Sequence, residues 1–391
     1  MMPHLDIEWI LPDGQVGGRT RDGTFKARGA LPGARIAPTA TQARGRTVEI
    51  TAWDPVSASP HTVSHPCPVL EQCGGCDLGA LDRDVRRTQL VSMVQRALRL
   101  PEPPPLVPSP LQIRHRARVR LAVDGAKLGY RGARSHDLVD VEDCWAARPE
   151  VAARIAEVRS RLPLPGLEAV EVRSDGTRAV LALEGRVDPA ALEGLEDVAV
   201  NGKAVTGDPT LTLEVCGTHL RCSPRSFYQV NLEINETLVQ HVRDSVLAAR
   251  PERVLDLYAG IGNLTVPIAV SGVPTVAVEL EGQATSDLKH NATANGVSIE
   301  VHTGRVEKFD PSRVAFDVVV LDPPRAGAGR VMEALLLQRP RRIVLVSCHV
   351  PSAGRDLQPA LRAGYRIADA RCFELFVDTH HVETVVVLER G

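Results

Sequence analysis

The sequence predicts an α/β chain: a doubly wound, Rossmann-like parallel sheet in the C-terminal part, preceded by a small β-barrel and a mostly β central segment. Three observations predict it. Apolar strands recur after residue 225, in RVLDLY, PTVAVEL, FDVVVLDPPR and RRIVLVSCHV, with helical or loop stretches between them. That alternation belongs to a parallel sheet covered on both faces. Residues 1 to 55 read instead as short β segments broken by glycine and proline, DIEWILPDG, GGRTRDGTFKARGALPGARI and RTVEITAWD, which suits a small barrel. Between the two, residues 111–222 are mostly strand-like, with one helix expected at RPEVAARIAEVRSRL.

These patterns divide the chain into 1–58, 59–222 and 223–391. PVSASPHTVSHP reads as the linker that leaves the barrel. LDRDVRRTQLVSMVQRALRL, residues 81–100, has apolar residues at helical spacing and stops at PEPPP; it is expected to pack on the C-terminal domain. Among 391 residues, 43% are hydrophobic and 24% charged, as in soluble globular proteins. No apolar run approaches the ~20 residues that cross a bilayer. MMPHLDIEWILPDG lacks the basic-then-apolar order of a signal peptide. A cytoplasmic monomer is expected, in a compartment where disulfide frameworks are rare. A net charge of −2 does not announce a nucleic-acid partner. LQIRHRARVR, however, carries Arg114, Arg116, Arg118 and Arg120 at alternate positions. On a strand these share one face, either a phosphate track or a solvated surface.

The chemistry-bearing motifs sit at strand ends. Asp256-Leu257-Tyr258-Ala259-Gly260-Ile261-Gly262-Asn263 follows the first strand of the predicted sheet, and the second strand ends in Glu279, placed to accept from ribose hydroxyls. The G-x-G lacks the third glycine that a pyrophosphate needs, so a nucleoside cofactor without one fits better. DLYAGIGN…VEL looks like the S-adenosylmethionine signature of class I methyltransferases. Leu321-Asp322-Pro323-Pro324-Arg325 fixes a chain exit at the carboxyl edge of the sheet, where such folds bind ligands. Cys348, in Val346-Ser347-Cys348-His349, ends another strand at that edge. Glu383 opens the apolar strand ETVVVLER, a costly place for an unused carboxylate. A thiol and a carboxylate so placed suggest covalent catalysis with a general base.

Over nearly its whole length the chain resembles the RNA uracil-5-methyltransferase family. The resemblance rests on Ser226-Phe227-Tyr228-Gln229-Val230-Asn231, on Ser347-Cys348 and on His381-Val382-Glu383. It implies Cys348 as nucleophile and Glu383 as general base, with Gln229, Tyr258, Asn263, Glu279 and Asp322 as contacts to S-adenosylmethionine and the reacting site. DGTFKARGALPGARI resembles the OB-like TRAM domain, an RNA-binding barrel, with Trp9 and Phe25 as candidates for stacking on bases. Ribosomal RNA is the expected substrate. The alternatives are transfer RNA, an RNA or protein N-methyltransferase using the DPP turn alone, and a scaffold without catalysis. The usual Asn-Pro after the nucleophile is replaced here by His349-Val350-Pro351.

CPVLEQCGGC gathers Cys67, Cys73 and Cys76, a spacing that fits metal, redox or disulfide chemistry. The resemblance implies a [4Fe–4S] cluster on these three and Cys144, with zinc as the chemical competitor. Cys216, Cys222 and Cys372 have no partner pattern.

Overall fold

The glycine- and proline-broken segments form β1 (Leu5–Asp6), β2 (Trp9–Ile10), β3 (Val16–Thr20), β4 (Gly23–Ala27), β5 (Arg35–Arg44) and β6 (Thr47–Ser57), in the order β1-β5-β6-β4-β3-β2. The computed structural model describes residues 4–132, 135 and 137–391; residues 1–3 of the expected barrel, and 133, 134 and 136 of the strand-like run 129–141, lie outside them. Glu8 N–H donates to Gly17 O at 2.8 Å, drawing the chain after β1 onto β3 and rolling the sheet on itself. The inward residues of alternate positions, Leu5, Ile7, Val16, Phe25, Ile36 and Ile50, fill it. Phe25 is 1% exposed, so it packs the core and is no platform for a base. The Trp9 ring lies 5.9 Å under the Arg96 guanidinium.

α1 (Arg83–Leu98) is capped by Asp82, whose carboxylate accepts from Asp84 N and Val85 N, and ends at Arg99 in the left-handed region. β7 (Leu106–Val107) follows. The central segment folds as β8 (Arg118–Asp124), β9 (Lys127–Arg131), β10 (Leu138–Asp140), α2 (Pro149–Arg159), β11 (Leu167–Ser174), β12 (Ala179–Gly185), β13 (Val198–Val200) and β14 (Lys203–Thr206). Its seven-stranded sheet has the order β10-β9-β8-β11-β12-β13-β14, and α2 covers it with Val151, Ile155 and Val158.

The arginine run is not the phosphate track that alternation allows. β8 begins only at Arg118, and Arg114 has φ +55°. Arg114 pairs with Asp143 (2.6 Å), Arg118 with Glu171 (2.8 Å) and Arg120 with Glu184 (2.6 Å). Arg116 donates to Gly75 O at 2.8 Å. Tertiary partners neutralise or occupy the guanidinium groups that a local pattern counts as free.

The remaining chain forms the hairpin β15 (Leu211–Val215) and β16 (Thr218–Cys222), then α3 (Leu232–Leu247), β17 (Val254–Leu257), α4 (Thr265–Val270), β18 (Thr275–Glu279), α5 (Gly282–Ala294), β19 (Ile299–Thr303), β20 (Val318–Leu321), α6 (Arg330–Leu337), β21 (Arg342–Ser347), α7 (Val350–Arg362), β22 (Tyr365–Phe373) and β23 (Glu383–Arg390). The eight-stranded sheet runs β19-β18-β17-β20-β21-β23-β22-β7. Strands β17 to β21 pair in parallel, whereas β23 runs antiparallel to β21. β17, β20 and all of β21 beyond Arg342 are buried, which is why they read as continuous apolar runs. Leu90, Met93, Val94 and Leu98 of α1 join one core with Ala353, Leu357 and Ala360 of α7. No described helix is long and apolar enough to cross a membrane.

Candidate active site

The chain leaves β17 for β18 and β19 on one side, while β20 and β21 lie on the other. That reversal opens a crevice at the carboxyl ends of β17 and β20. Tyr258 (φ +64°), Gly260 (φ +57°) and Gly262 (φ +95°) curl the chain over it. A Cβ on Gly262 would lie 2.6 Å from Leu288 Cδ1 and 2.7 Å from Val266 Cγ2, so only glycine lets this turn seat on α4 and α5. The Glu279 carboxylate accepts from Gly260 N and Glu281 N, each at 2.8 Å, which fixes it at the rim with lone pairs to spare. Asn263 and Asn235 exchange side-chain hydrogen bonds at 2.9 Å. Asp256 accepts from Thr265 Oγ1 at 2.5 Å, its Oδ1 has no partner, and burial pushes its carboxyl up to about 7. Beside Glu279, Leu280 stands 57% exposed, an apolar side chain waiting for an apolar face. A cradle with an acidic rim, open glycine backbone and an apolar wall suits an adenosine.

The second half of the site follows from strand register. Ser347 of β21 pairs with Thr384 of β23, so Cys348, one step on, faces Glu383, one step back. Thr384 Oγ1 locks the pairing by donating to Ser347 O at 3.0 Å. β20 lies on the other side of β21, with Leu321 opposite Leu345, which brings Asp322 alongside. Burial, then the Glu383 and Asp322 charges, push the Cys348 thiol up to about 11, and Arg325 opposes them. Glu383 is 1% exposed with Oε1 unpartnered; burial and the neighbouring Asp322 charge hold its carboxyl well above the usual range. Burial raises Asp322 to about 6. Burial and mutual charge thus favour the uncharged forms of both Cys348 and Glu383.

A second gathering of sulfur lies on the central segment. Cys67, Cys73, Cys76 and Cys144 line one cavity together with Arg116, Tyr130, Trp145 and Asp378, and all four are free thiols. Gly75 N–H donates to Cys73 Sγ at 3.4 Å, and Arg116 Nη2 lies 3.9 Å from Cys76 Sγ. Gly74 N–H donates to Arg131 O at 3.2 Å, docking the loop on β9. Among the described residues, no three His, Cys, Asp or Glu side chains are grouped as a single metal ion needs.

The family model described as tRNA (Uracil-5-)-methyltransferase matches residues 208–391. A protein of Pectobacterium atrosepticum, described as a 23S rRNA (uracil(1939)-C(5))-methyltransferase, is 30% identical, covering 96% of this chain and 91% of its own. The chain belongs to the RNA uracil-5-methyltransferase family. A Pseudomonas putida member of the same description is 28% identical over 99% of this chain and 93% of its own. The fold is also that of the Pyrococcus abyssi tRNA (uracil-54, C5)-methyltransferase solved with S-adenosyl-L-homocysteine, with a TM-score of 0.77, 23% identity, and 99% of this chain and 100% of that one covered. This chain is thus an S-adenosylmethionine-dependent methyltransferase acting on RNA.

Within this methyltransferase the SFYQVN stretch ties α3 to the chain after β7. Asn231 caps α3 and donates to Ser109 Oγ at 3.0 Å, Gln229 is buried, and Phe227 stands 58% exposed with the Arg118 guanidinium 5.0 Å from its ring centre. Sequence reasoning missed Arg325 and His381 as site residues, although both stand inside motifs it had singled out. Arg325 Nη2 lies 3.3 Å from His381 Nε2, a meeting across 56 residues that no local pattern shows.

Proposed function

We propose that the chain methylates C5 of a specific uridine in 23S ribosomal RNA, with Cys348 as the covalent nucleophile and Glu383 as the base. The register that seats Cys348 opposite Glu383 at the mouth of the adenosine cradle carries this reading. Uracil C5 is too weak a nucleophile to take a methyl group directly. Cys348 Sγ adds at C6, and the C5=C6 electron pair moves toward O4, making C5 an enolate carbon. S-adenosylmethionine supplies an electrophilic methyl and a positive sulfonium charge. C5 takes the methyl as the S–CH3 bond breaks, leaving S-adenosylhomocysteine. Glu383 then removes the C5 proton, the pair returns to C5=C6, and Cys348 leaves as thiolate. With the thiol at about 11, only roughly one Cys348 in ten thousand is ionised at pH 7 in the free protein. Bound cosubstrate and a Glu383 that has lost its proton are both part of the competent state.

Gln229, Tyr258, Asn263, Glu279 and Asp322 are the proposed contacts to S-adenosylmethionine and the reacting site. The barrel of 1–58 is the proposed RNA grip, ahead of a central domain (59–222) and a catalytic domain (223–391); the enzyme acts as a cytoplasmic monomer. A uridine inside folded RNA must leave its stack to reach Cys348, and a separate grip offsets that cost. The cysteine cavity fits a [4Fe–4S] cluster held by Cys67, Cys73, Cys76 and Cys144. Four cysteines without disulfide partners line one cavity, and the Gly75 N–H and the Arg116 guanidinium lie against two of their sulfurs. Zinc would draw all four sulfurs to about 2.3 Å. No step of the methyl transfer runs through the cluster; its role is to fasten the linker loop onto β9.

Mass spectrometry of RNA from a strain lacking the gene tests the substrate. Loss of 5-methyluridine from 23S RNA is expected. Loss from transfer RNA alone, which the family model's description favours, would move the target but keep the chemistry.

A further inference from the structure

β22 ends at Phe373 and β23 begins at Glu383, and residues 374–382 form the strap between them. Glu383 stands one step before Thr384, the last residue of β23 to pair with β21. Phe373 lies opposite it on β22, and the Glu383 Oε1 has no partner. Where that carboxylate stands is therefore set by the backbone that delivers it.

The strap is held from outside its own sheet. At its first foot, buried Glu374 accepts from Arg87 Nη2 of α1 at 2.7 Å and from Ser109 N at 3.0 Å. In its second half Asp378 adopts the left-handed conformation, φ +64°. The Asp378 carboxylate accepts from Arg86 Nη1 of α1 at 2.5 Å, and its Oδ2 lies 3.2 Å from His65 Nε2. Cys67 N–H donates to His65 Nδ1 at 3.1 Å, so that nitrogen carries no proton and Nε2 is the one that donates to Asp378. Leu78 N–H donates to Asp378 O at 2.9 Å. Asp77 accepts from His380 N at 3.2 Å, and its Oδ2 lies 2.6 Å from His380 Nδ1. Gly14 of the barrel, at φ +75°, closes on the same place: a Cβ there would lie 2.7 Å from His380 Nδ1. The segment around the clustered cysteines thus supplies His65, Asp77 and Leu78 to the strap.

Arg86 and Asp378 are both buried, and a buried ion pair adds little net stability because desolvation offsets the attraction. A left-handed turn needs no carboxylate either, since glycine closes one at no steric cost. What the paired carboxylate supplies is a fixed position. We propose that Asp378 is the positioning residue for the general base: tied to Arg86 and His65, it seats the strap so that Glu383 meets the C5 proton of the methylated intermediate. The inference rests on Glu383 being the base, as read above. Addition of Cys348 and methyl transfer both precede the step that uses Glu383. A base displaced by about 1 Å loses on the order of 10²-fold in rate. The intermediate then accumulates with Cys348 still bonded to C6.

The test uses the full-length protein with S-adenosylmethionine and target RNA, read by single-turnover methylation and by denaturing gels. Asp378→Gly keeps the backbone conformation and removes only the carboxylate. It should slow release of 5-methyluridine by about 10–10²-fold. It should also leave a protein–RNA adduct on the gel and raise the isotope effect of deuterium at uridine C5. KM for RNA and cosubstrate affinity should stay near native. Asp378→Asn, which tolerates the same φ and keeps one acceptor oxygen, should recover most of the rate. In a Glu383→Gln background Asp378→Gly should add little further loss, because the group it positions is gone. His65→Ala leaves Arg86 in place and should give the same adduct at smaller amplitude; it carries the test where Asp378→Gly folds poorly. Native release without adduct, or slower release with no adduct and a native isotope effect, would overturn the proposal in either variant. Full additivity with Glu383→Gln would overturn it as well. If Glu383→Gln itself leaves no adduct, the reading of Glu383 as the base fails instead.

Discussion

Two places in this molecule set an arginine near a half-buried cysteine, and their surroundings differ in one respect. In the cysteine cavity Arg116 is fastened to Gly75 O and reaches Cys76, whose thiol burial pushes up to about 12. The carboxylate at that cavity's edge, Asp378, is already engaged by Arg86 at 2.5 Å and His65 at 3.2 Å. In the crevice the Arg325 charge opposes the burial that raises the Cys348 thiol, and the facing Glu383 keeps Oε1 without a partner. In the first, the neighbouring Asp378 is engaged; in the second, the neighbouring Glu383 keeps an oxygen unpartnered. The thiols proposed to hold a group thus lie beside an engaged carboxylate, whereas the thiol proposed to react faces an unengaged one.

Substitutions that exchange these characters sharpen the contrast, and the largest effect belongs to the reactive thiol. Cys348→Ala should lower single-turnover methylation by at least ~10⁴-fold with cosubstrate affinity intact, as removing a covalent nucleophile does elsewhere. Full activity would erase the distinction between the two sites. Glu383→Gln should slow turnover by about 10²–10⁴-fold. It should also leave a protein–RNA adduct on denaturing gels, because the methylated intermediate keeps its C5 proton. In the holding site, Cys76→Ser should leave the chemistry of Cys348 alone and cost stability instead, about 2–4 kcal/mol. Thermal melting and iron and sulfide content check this, and an unchanged melt would break the comparison from the other end.

A further effect, on stability alone, concerns the cradle. The Asp256 carboxyl is raised by burial from the usual 3.8 to about 7. Between those values the folded protein binds a proton that the unfolded chain has released, so stability falls as pH rises through the window. Asp256→Asn keeps an acceptor for Thr265 and should remove that slope. The ligand-free variant should match the native protein near pH 4 and exceed it at pH 8 by at most ~4 kcal/mol. Melting temperatures across pH measure it.

The crevice at the strand ends was the more legible of the two places in the sequence, for a physical reason. Buried parallel strands are apolar runs, and ligand groups of such folds stand at their carboxyl ends, so Asp256, Glu279, Asp322 and Cys348 could be read from where the runs stop. The antiparallel return that puts Glu383 opposite Cys348 is long-range, and only a carboxylate at the head of an apolar strand and the His381-Val382-Glu383 resemblance marked it. Arg114 to Arg120 misled because alternation is local, whereas Asp143, Glu171 and Glu184, which neutralise three of them, lie up to 64 residues away. Phe25 misled because an aromatic in a small barrel reads the same whether it faces in or out. Arg325 and His381, and His380 and Asp77, were invisible as pairs, since 56 and 303 residues separate them in the chain.

The direct test of covalent attack by Cys348 is incubation of the full-length protein with S-adenosylmethionine and target RNA carrying 5-fluorouridine at the methylated position. Fluorine cannot leave C5 as a proton does, so the account predicts a denaturation-stable adduct whose peptide maps to Cys348. Methylation of uridine RNA at the native rate by Cys348→Ala, with no adduct on the fluorinated RNA in either protein, would contradict it.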